Sequence, residues 1–163
     1  MQYFAETFAS RYLYLPILVL TGCVKLLSAS ERIAVLDTLD PIVGIPIRFV
    51  LIATAIFELG VAGVIVSAAA PAFKHGLVLW LGGQFLIYRA FKGLFGASEP
   101  CPCLGNMAGW LGLSARDADS LSFSLAVFLA LTSGFCLSVV LARNRERAQV
   151  GPACKPSPLL SRP

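Results

Sequence analysis

Four apolar runs follow one another along the chain, separated by polar connections. The first is Tyr12 to Leu27, interrupted near its end by Cys23 and Lys25. The second runs from about Ile45 to Ala70, opens with Pro46 and carries one acid, Glu58. The third extends from Gly76 to about Phe95 and includes Gln84, Arg89 and Lys92. The fourth, Leu121 to Ala142, has no charge at all. Each approaches the ~20 residues with which a helix crosses a ~30 Å hydrocarbon layer. Proline suits the opening of the second run, because its missing N–H would have no partner in a first helical turn. The pattern predicts an all-α, four-helix transmembrane bundle in contact with a lipid bilayer. Ser28 to Gly44 then reads as a polar loop, Pro71 to His75 as a tight turn, and Gly96 to Ser120 as a longer loop rich in Gly, Pro and Asp.

Composition agrees with this pattern: 57% of the 163 residues are hydrophobic and 13% charged, more apolar surface than a soluble domain of that length buries. One membrane domain, residues 1–142, accounts for the runs. Residues 143–163 form a basic, Pro-containing tail, expected to be mobile from Asn144 onward because few apolar residues are available to pack there. No internal repeat or low-complexity tract is present.

Charge placement sets the expected orientation, since positively charged flanks stay in the cytoplasm. One face collects Arg11, Lys74, Arg143, Arg145 and Arg147. The other carries Glu31, Arg32, Asp37, Asp40, Glu99, Arg116, Asp117 and Asp119, acidic on balance. Both termini are thus expected in the cytoplasm, with the first and third loops outside an inner membrane. Ser28-Ala29-Ser30 loosely resembles a signal-peptide cleavage site, but Glu6 and the long polar start favour a retained helix.

Chemistry centres on Glu99-Pro100-Cys101-Pro102-Cys103-Leu104-Gly105-Asn106. Two cysteines with one residue between them close only a small, strained disulfide ring, and strain makes such a bond easier to reduce. Pro100 and Pro102 stiffen the segment, and Gly105 allows a sharp turn after it. On the outer face a disulfide can persist. Lys25, Arg48, Arg89 and Lys92, at the outer helix ends, are cations able to favour a thiolate nearby. Cys23, expected one helical turn from its helix end, is a candidate third thiol. The competing reading is an inert structural disulfide. Zinc or an iron–sulfur cluster fits less well, because His75, the single histidine, falls at the opposite face and too few thiols remain. Cys136 reads as a small buried hydrophobe and Cys154 as an incidental thiol in the tail.

An ionisable side chain near mid-membrane normally faces the bundle interior. Glu58 is therefore either a proton carrier or ligand contact, or a structural anchor paired with Gln84, Lys25 or Arg89, or simply protonated, since desolvation makes the neutral form cheap to bury. Gly60 and Gly63, with Gly82 and Gly83 in the third run, are expected to let helix backbones approach closely.

An acid followed by glycine in the second helix (Glu58-Leu59-Gly60), a polar third helix and a Cys-x-Cys-Leu-Gly loop before the fourth resemble the MauE branch of the DoxX-like membrane proteins. The resemblance spans Tyr12 to Ala142. It implies a four-helix inner-membrane protein that supports periplasmic thiol–disulfide chemistry; in MauE, this is maturation of the disulfide-rich small subunit of methylamine dehydrogenase. It further implies Cys101 and Cys103 as the redox-active pair. A quinone would be the electron acceptor near Glu58, Gln84 and Arg89. The partner would be a periplasmic thiol or disulfide protein, oxidised through a mixed disulfide, with Cys23 or the quinone reoxidising the pair. Either direction of electron flow is compatible with these residues. The alternative is a non-catalytic membrane subunit or small-solute transporter, with Glu58, Gln84 and Arg89 lining a polar pocket and a structural disulfide in the loop.

Overall fold

The computed structural model describes residues 9–31, 34–94, 112 and 114–149. Among these the chain is all helical apart from an isolated bridge between Leu39 and Pro46. A π-helical segment, Ala9–Tyr14, leads into α1, Leu15–Ser30. A 3-10 turn, Ala34–Asp37, precedes α2, Ile47–Val66. Then come α3, Pro71–Leu94, and α4, Ala115–Gln149. Three segments are long and apolar enough to cross a membrane: Tyr12–Ser30, Ile47–Val66 and Arg116–Gln149. Helix α3 has the length, but Lys74, His75, Gln84, Arg89 and Lys92 dilute its apolar character.

Local sequence explains where the helices begin. Pro16, near the start of α1, needs no N–H partner there. Pro71 opens α3, with Ala70 O accepting from Phe73 N and Lys74 N at 3.0 and 3.2 Å. The expected tight turn over Pro71 to His75 is therefore the first turn of a helix, because proline at its first position is pre-set for helical φ. At α4, Ser114 Oγ accepts from Asp117 N at 3.2 Å and donates to Asp117 Oδ2 at 2.6 Å. This N-cap starts the helix ahead of the apolar run that began at Leu121. The helix also runs past Ala142, so Asn144 to Gln149 are helical rather than part of a tail.

Cationic side chains close the helix ends. Lys74 Nζ donates to Ile65 O and Ser67 O, at 2.8 and 2.6 Å, capping α2. Arg48 Nη1 donates to Ala29 O at 2.6 Å and Glu31 O at 3.1 Å, capping α1, while its Nε reaches Asp37 Oδ1 at 3.1 Å. Both placements satisfy carbonyls that lack partners within the helix and set positive charge against the negative helix end.

Helix α1 packs on α2 and α3 on α4, giving two antiparallel hairpins. Tyr14, Leu18, Val61, Ile65, Val78 and Leu129 join them in one core. Close approach depends on Gly22 and Gly82. A Cβ on Gly22 would sit 3.0 Å from Leu59 Cγ, and one on Gly82 would sit 3.2 Å from both Ala126 O and Ala130 N. Gly60, Gly63 and Gly83, expected to share this role, face open space. The described chain starts and finishes at one end of the bundle, where buried Tyr14 directs its hydroxyl at Cys136 Sγ, 3.9 Å away, and packs edge-on against His75.

Candidate functional site: a buried ion pair between two cavities

In a bundle held together by aliphatic side chains, Lys25 and Glu58 are buried to 4% and 3% exposure. Helical spacing explains the placement. Leu18, Lys25 and Ala29 fall on the inward stripe of α1, as Ala55, Glu58 and Ala62 do on α2. Lys25 Nζ donates to Glu58 Oε1 in a direct ion pair. The same ammonium stands 4.5 Å from the centroid of the Phe85 ring, whose π face supplies a second electrostatic contact. Glu58 Oε2 is buried with no hydrogen-bond partner among the described residues.

Two cavities flank the pair. One, of about 210 Å³, is lined by Lys25, Glu58 and Arg89 together with Leu18, Phe85 and Leu125. The other, of about 380 Å³, lies between α2 and α3 and is lined by Lys25, Asp40, Phe57, Trp80, Gln84 and Tyr88. Lys25, Leu81 and Phe85 border both. Of the residues expected to form one polar pocket, Glu58 and Arg89 thus share a cavity, while Gln84 lines its neighbour.

Polar side chains close the end of the bundle near Lys25. Arg89 Nη1 donates to Asp119 O at 2.9 Å and its Nη2 pairs with the Asp119 carboxylate, tying α3 to α4. Asp40 Oδ1 accepts from the backbone of Ile42 and Val43 at 2.9 and 3.0 Å, and Oδ2 accepts from the Tyr88 hydroxyl. Burial alone would push the Asp40 carboxyl up; those donors outweigh it and, with Lys92, hold it below the usual range. Gly44, at φ +72°, completes the turn, where an L side chain would be strained.

Cys101 and Cys103 lie outside the described residues. Cys23 is exposed on the outer surface of the described bundle. Because α1 continues to Ser30, Cys23 sits about two turns from the helix end rather than one. Three of the four expected outer cations are already engaged: Lys25 with Glu58, Arg48 with Asp37 and the end of α1, and Arg89 with Asp119. No group of three or more His, Cys, Asp or Glu among the described residues is arranged to hold a metal.

Searches against family models, curated proteins and solved structures return no match for this chain.

Proposed function

We propose that the chain is a four-span inner-membrane protein, with both termini cytoplasmic, that supports periplasmic thiol–disulfide exchange in the manner of the MauE branch of DoxX-like proteins. The observation that carries this reading is the Lys25–Glu58 pair, buried in an apolar bundle and lining a cavity with Arg89. Charge inside a bilayer is costly and is retained where it serves transport, proton movement or ligand contact. The same end of the bundle bears the ends of the connection that contains Cys101 and Cys103: Arg89 lies near the close of α3 and Asp119 near the opening of α4. Helix α3 is the fourth span in this reading. Its stretch from Gly76 to Tyr88 is free of Asp, Glu, Lys and Arg, its Lys74 caps α2, and Arg89 is neutralised by Asp119.

In the relay, a thiolate of a periplasmic dithiol partner attacks one sulfur of the Cys101–Cys103 disulfide, and the other sulfur leaves as a thiolate. The partner's second thiolate then resolves the mixed disulfide, leaving an oxidised partner and a reduced pair. Reoxidising the pair removes two electrons and two protons; exchange with a disulfide at Cys23 would do this, or a quinone would supply the acceptor chemistry, with Glu58, Gln84 and Arg89 the residues that would hold it. The two cavities on either side of Lys25 also favour a second reading, a membrane subunit that binds a small lipophilic molecule and has no exchange chemistry.

Labelling intact cells with a membrane-impermeant maleimide, on a variant retaining only Cys101 and Cys103, separates these readings. The relay requires labelling that appears only after mild reduction, together with a partner trapped on Cys101 in Cys103→Ser or on Cys103 in Cys101→Ser. Labelling only after the membrane is broken overturns the orientation and with it the periplasmic assignment.

A further inference from the structure

The Lys25–Glu58 pair leaves one valence unfilled. An ionised carboxylate only accepts hydrogen bonds, and Lys25 occupies Oε1 alone, so Oε2 is a buried acceptor lacking a donor among the described residues. Burying such an atom costs free energy unless a donor arrives. Glu58 is 3% exposed and lines the 210 Å³ cavity, whose other walls are mostly aliphatic and include the ring of Phe85.

Volume restricts what can enter. An apolar cavity of about 150 Å³ accepts a benzene ring; this one is larger at about 210 Å³. Charge restricts it further. Lys25 and Glu58 compensate each other and Arg89 is paired with Asp119, so a charged ligand would bring uncompensated charge into the cavity, and a carbonyl at Oε2 would set acceptor against acceptor. The route restricts it a third time. Leu20 and Leu121 line the cavity and are 58% and 48% exposed on the bundle surface, so the opening between α1 and α4 faces hydrocarbon rather than water.

We propose that this cavity binds a neutral, lipophilic phenol whose ring lies among Phe85, Leu81 and Leu125 and whose hydroxyl donates to Glu58 Oε2. The inference rests on the membrane placement in the proposed function and is independent of the cysteine chemistry. If the relay operates, it identifies the reduced, hydroxyl-bearing form of the electron carrier as the species this cavity holds.

The test uses the full chain in nanodiscs, titrated with 4-pentylphenol and with its methyl ether, 4-pentylanisole, against empty nanodiscs. The two probes have nearly the same shape and differ in the donor. Saturable binding at one phenol per chain, with the anisole at least about tenfold weaker, is expected from one hydrogen bond to a charged acceptor. The double substitution Lys25→Met with Glu58→Leu removes both charges together, and phenol and anisole are then expected to bind alike. Equal binding of the two probes to the unsubstituted protein overturns the proposal without requiring any variant to fold. So does a phenol preference that survives the double substitution. Phenol selectivity in a protein whose Cys101 and Cys103 label only from the cytoplasm would leave this site standing and remove the relay. A working relay with no phenol selectivity would do the reverse.

Discussion

Replacing Lys25 with methionine keeps the length of the side chain and deletes its charge, leaving the Glu58 carboxylate inside the bundle with neither oxygen paired by Lys25. Removing one partner of a buried ion pair costs about 3–5 kcal/mol, because the remaining charge keeps its desolvation penalty and loses its compensation. Replacing both partners with apolar residues removes penalty and attraction together, and is near neutral. The pair is 5% and 3% exposed at its side chains, so screening by salt should scarcely change this balance. The cycle therefore comprises the unsubstituted chain, Lys25→Met, Glu58→Leu and the double variant. Its assay is unfolding in mixed micelles by titrated sodium dodecyl sulfate, followed by tryptophan fluorescence. Each single variant is expected to lose about 3 kcal/mol, and the double variant to recover at least half of that loss. The coupling should persist from low to high ionic strength. A Lys25→Met protein within about 0.5 kcal/mol of the unsubstituted chain, or strictly additive losses, would refute the claim that the two charges are held as a desolvated pair.

Other expectations follow from the helix contacts and caps. Gly82→Ala places a methyl 3.2 Å from backbone atoms of α4 and should cost about 1–3 kcal/mol, whereas Gly83→Ala enters open space and should stabilise by up to about 1 kcal/mol through helix propensity; parallel detergent melts compare the two. Arg48→Ala deprives the carbonyls at the end of α1 of a charged donor and should cost about 1.5 kcal/mol, read in the same melts, with smaller losses for Arg48→Lys. Asp40 has a folded pKa below its unfolded one, so the stability it contributes is complete above about pH 4 and is lost as pH falls through the lower folded value. Melting curves taken from pH 6 down to pH 2.5 should show that acid-dependent component, and Asp40→Asn should lack it.

That three helices are long and apolar enough to cross a membrane was legible because an uninterrupted apolar run of about twenty residues has few other uses. Helix limits were less so. Ser114 and Asp117 have the spacing of a capping pair, a signal present in the sequence but masked by the acidic, polar stretch around it. Asp40-Pro41 followed by Gly44 likewise spells a turn, yet nothing local reveals that Tyr88, distant in sequence, donates to the same carboxylate. Glu58 was recognisable as inward-facing, since mid-membrane acids rarely face lipid, and Lys25 was one of three partners that chemistry allowed. Selecting among them requires the relative height and rotation of α1, α2 and α3, set by packing of the whole bundle. The glycines make the same point: Gly22 and Gly82 sit where neighbouring helices meet, and Gly60, Gly63 and Gly83 do not, although the residue type is identical. Cys136 was expected to behave as a buried hydrophobe and instead is half-buried and receives the Tyr14 hydroxyl.

Helix α4 has a mechanical consequence. From Ser120 to Ala142 it carries no charge, and at 1.5 Å per residue that stretch measures roughly 34 Å, slightly more than a ~30 Å hydrocarbon layer. Asp119 on one side and Arg143 on the other mark its limits like graduations on a gauge. A helix longer than its bilayer responds by leaning or by thickening the lipid around it. Gly82 brings α3 against α4 at backbone distance, and Arg89 ties the pair at one rim, so in the proposed four-span arrangement the two helices would lean as a unit. In that arrangement, membrane thickness would be a variable to which the α3–α4 hairpin is mechanically coupled.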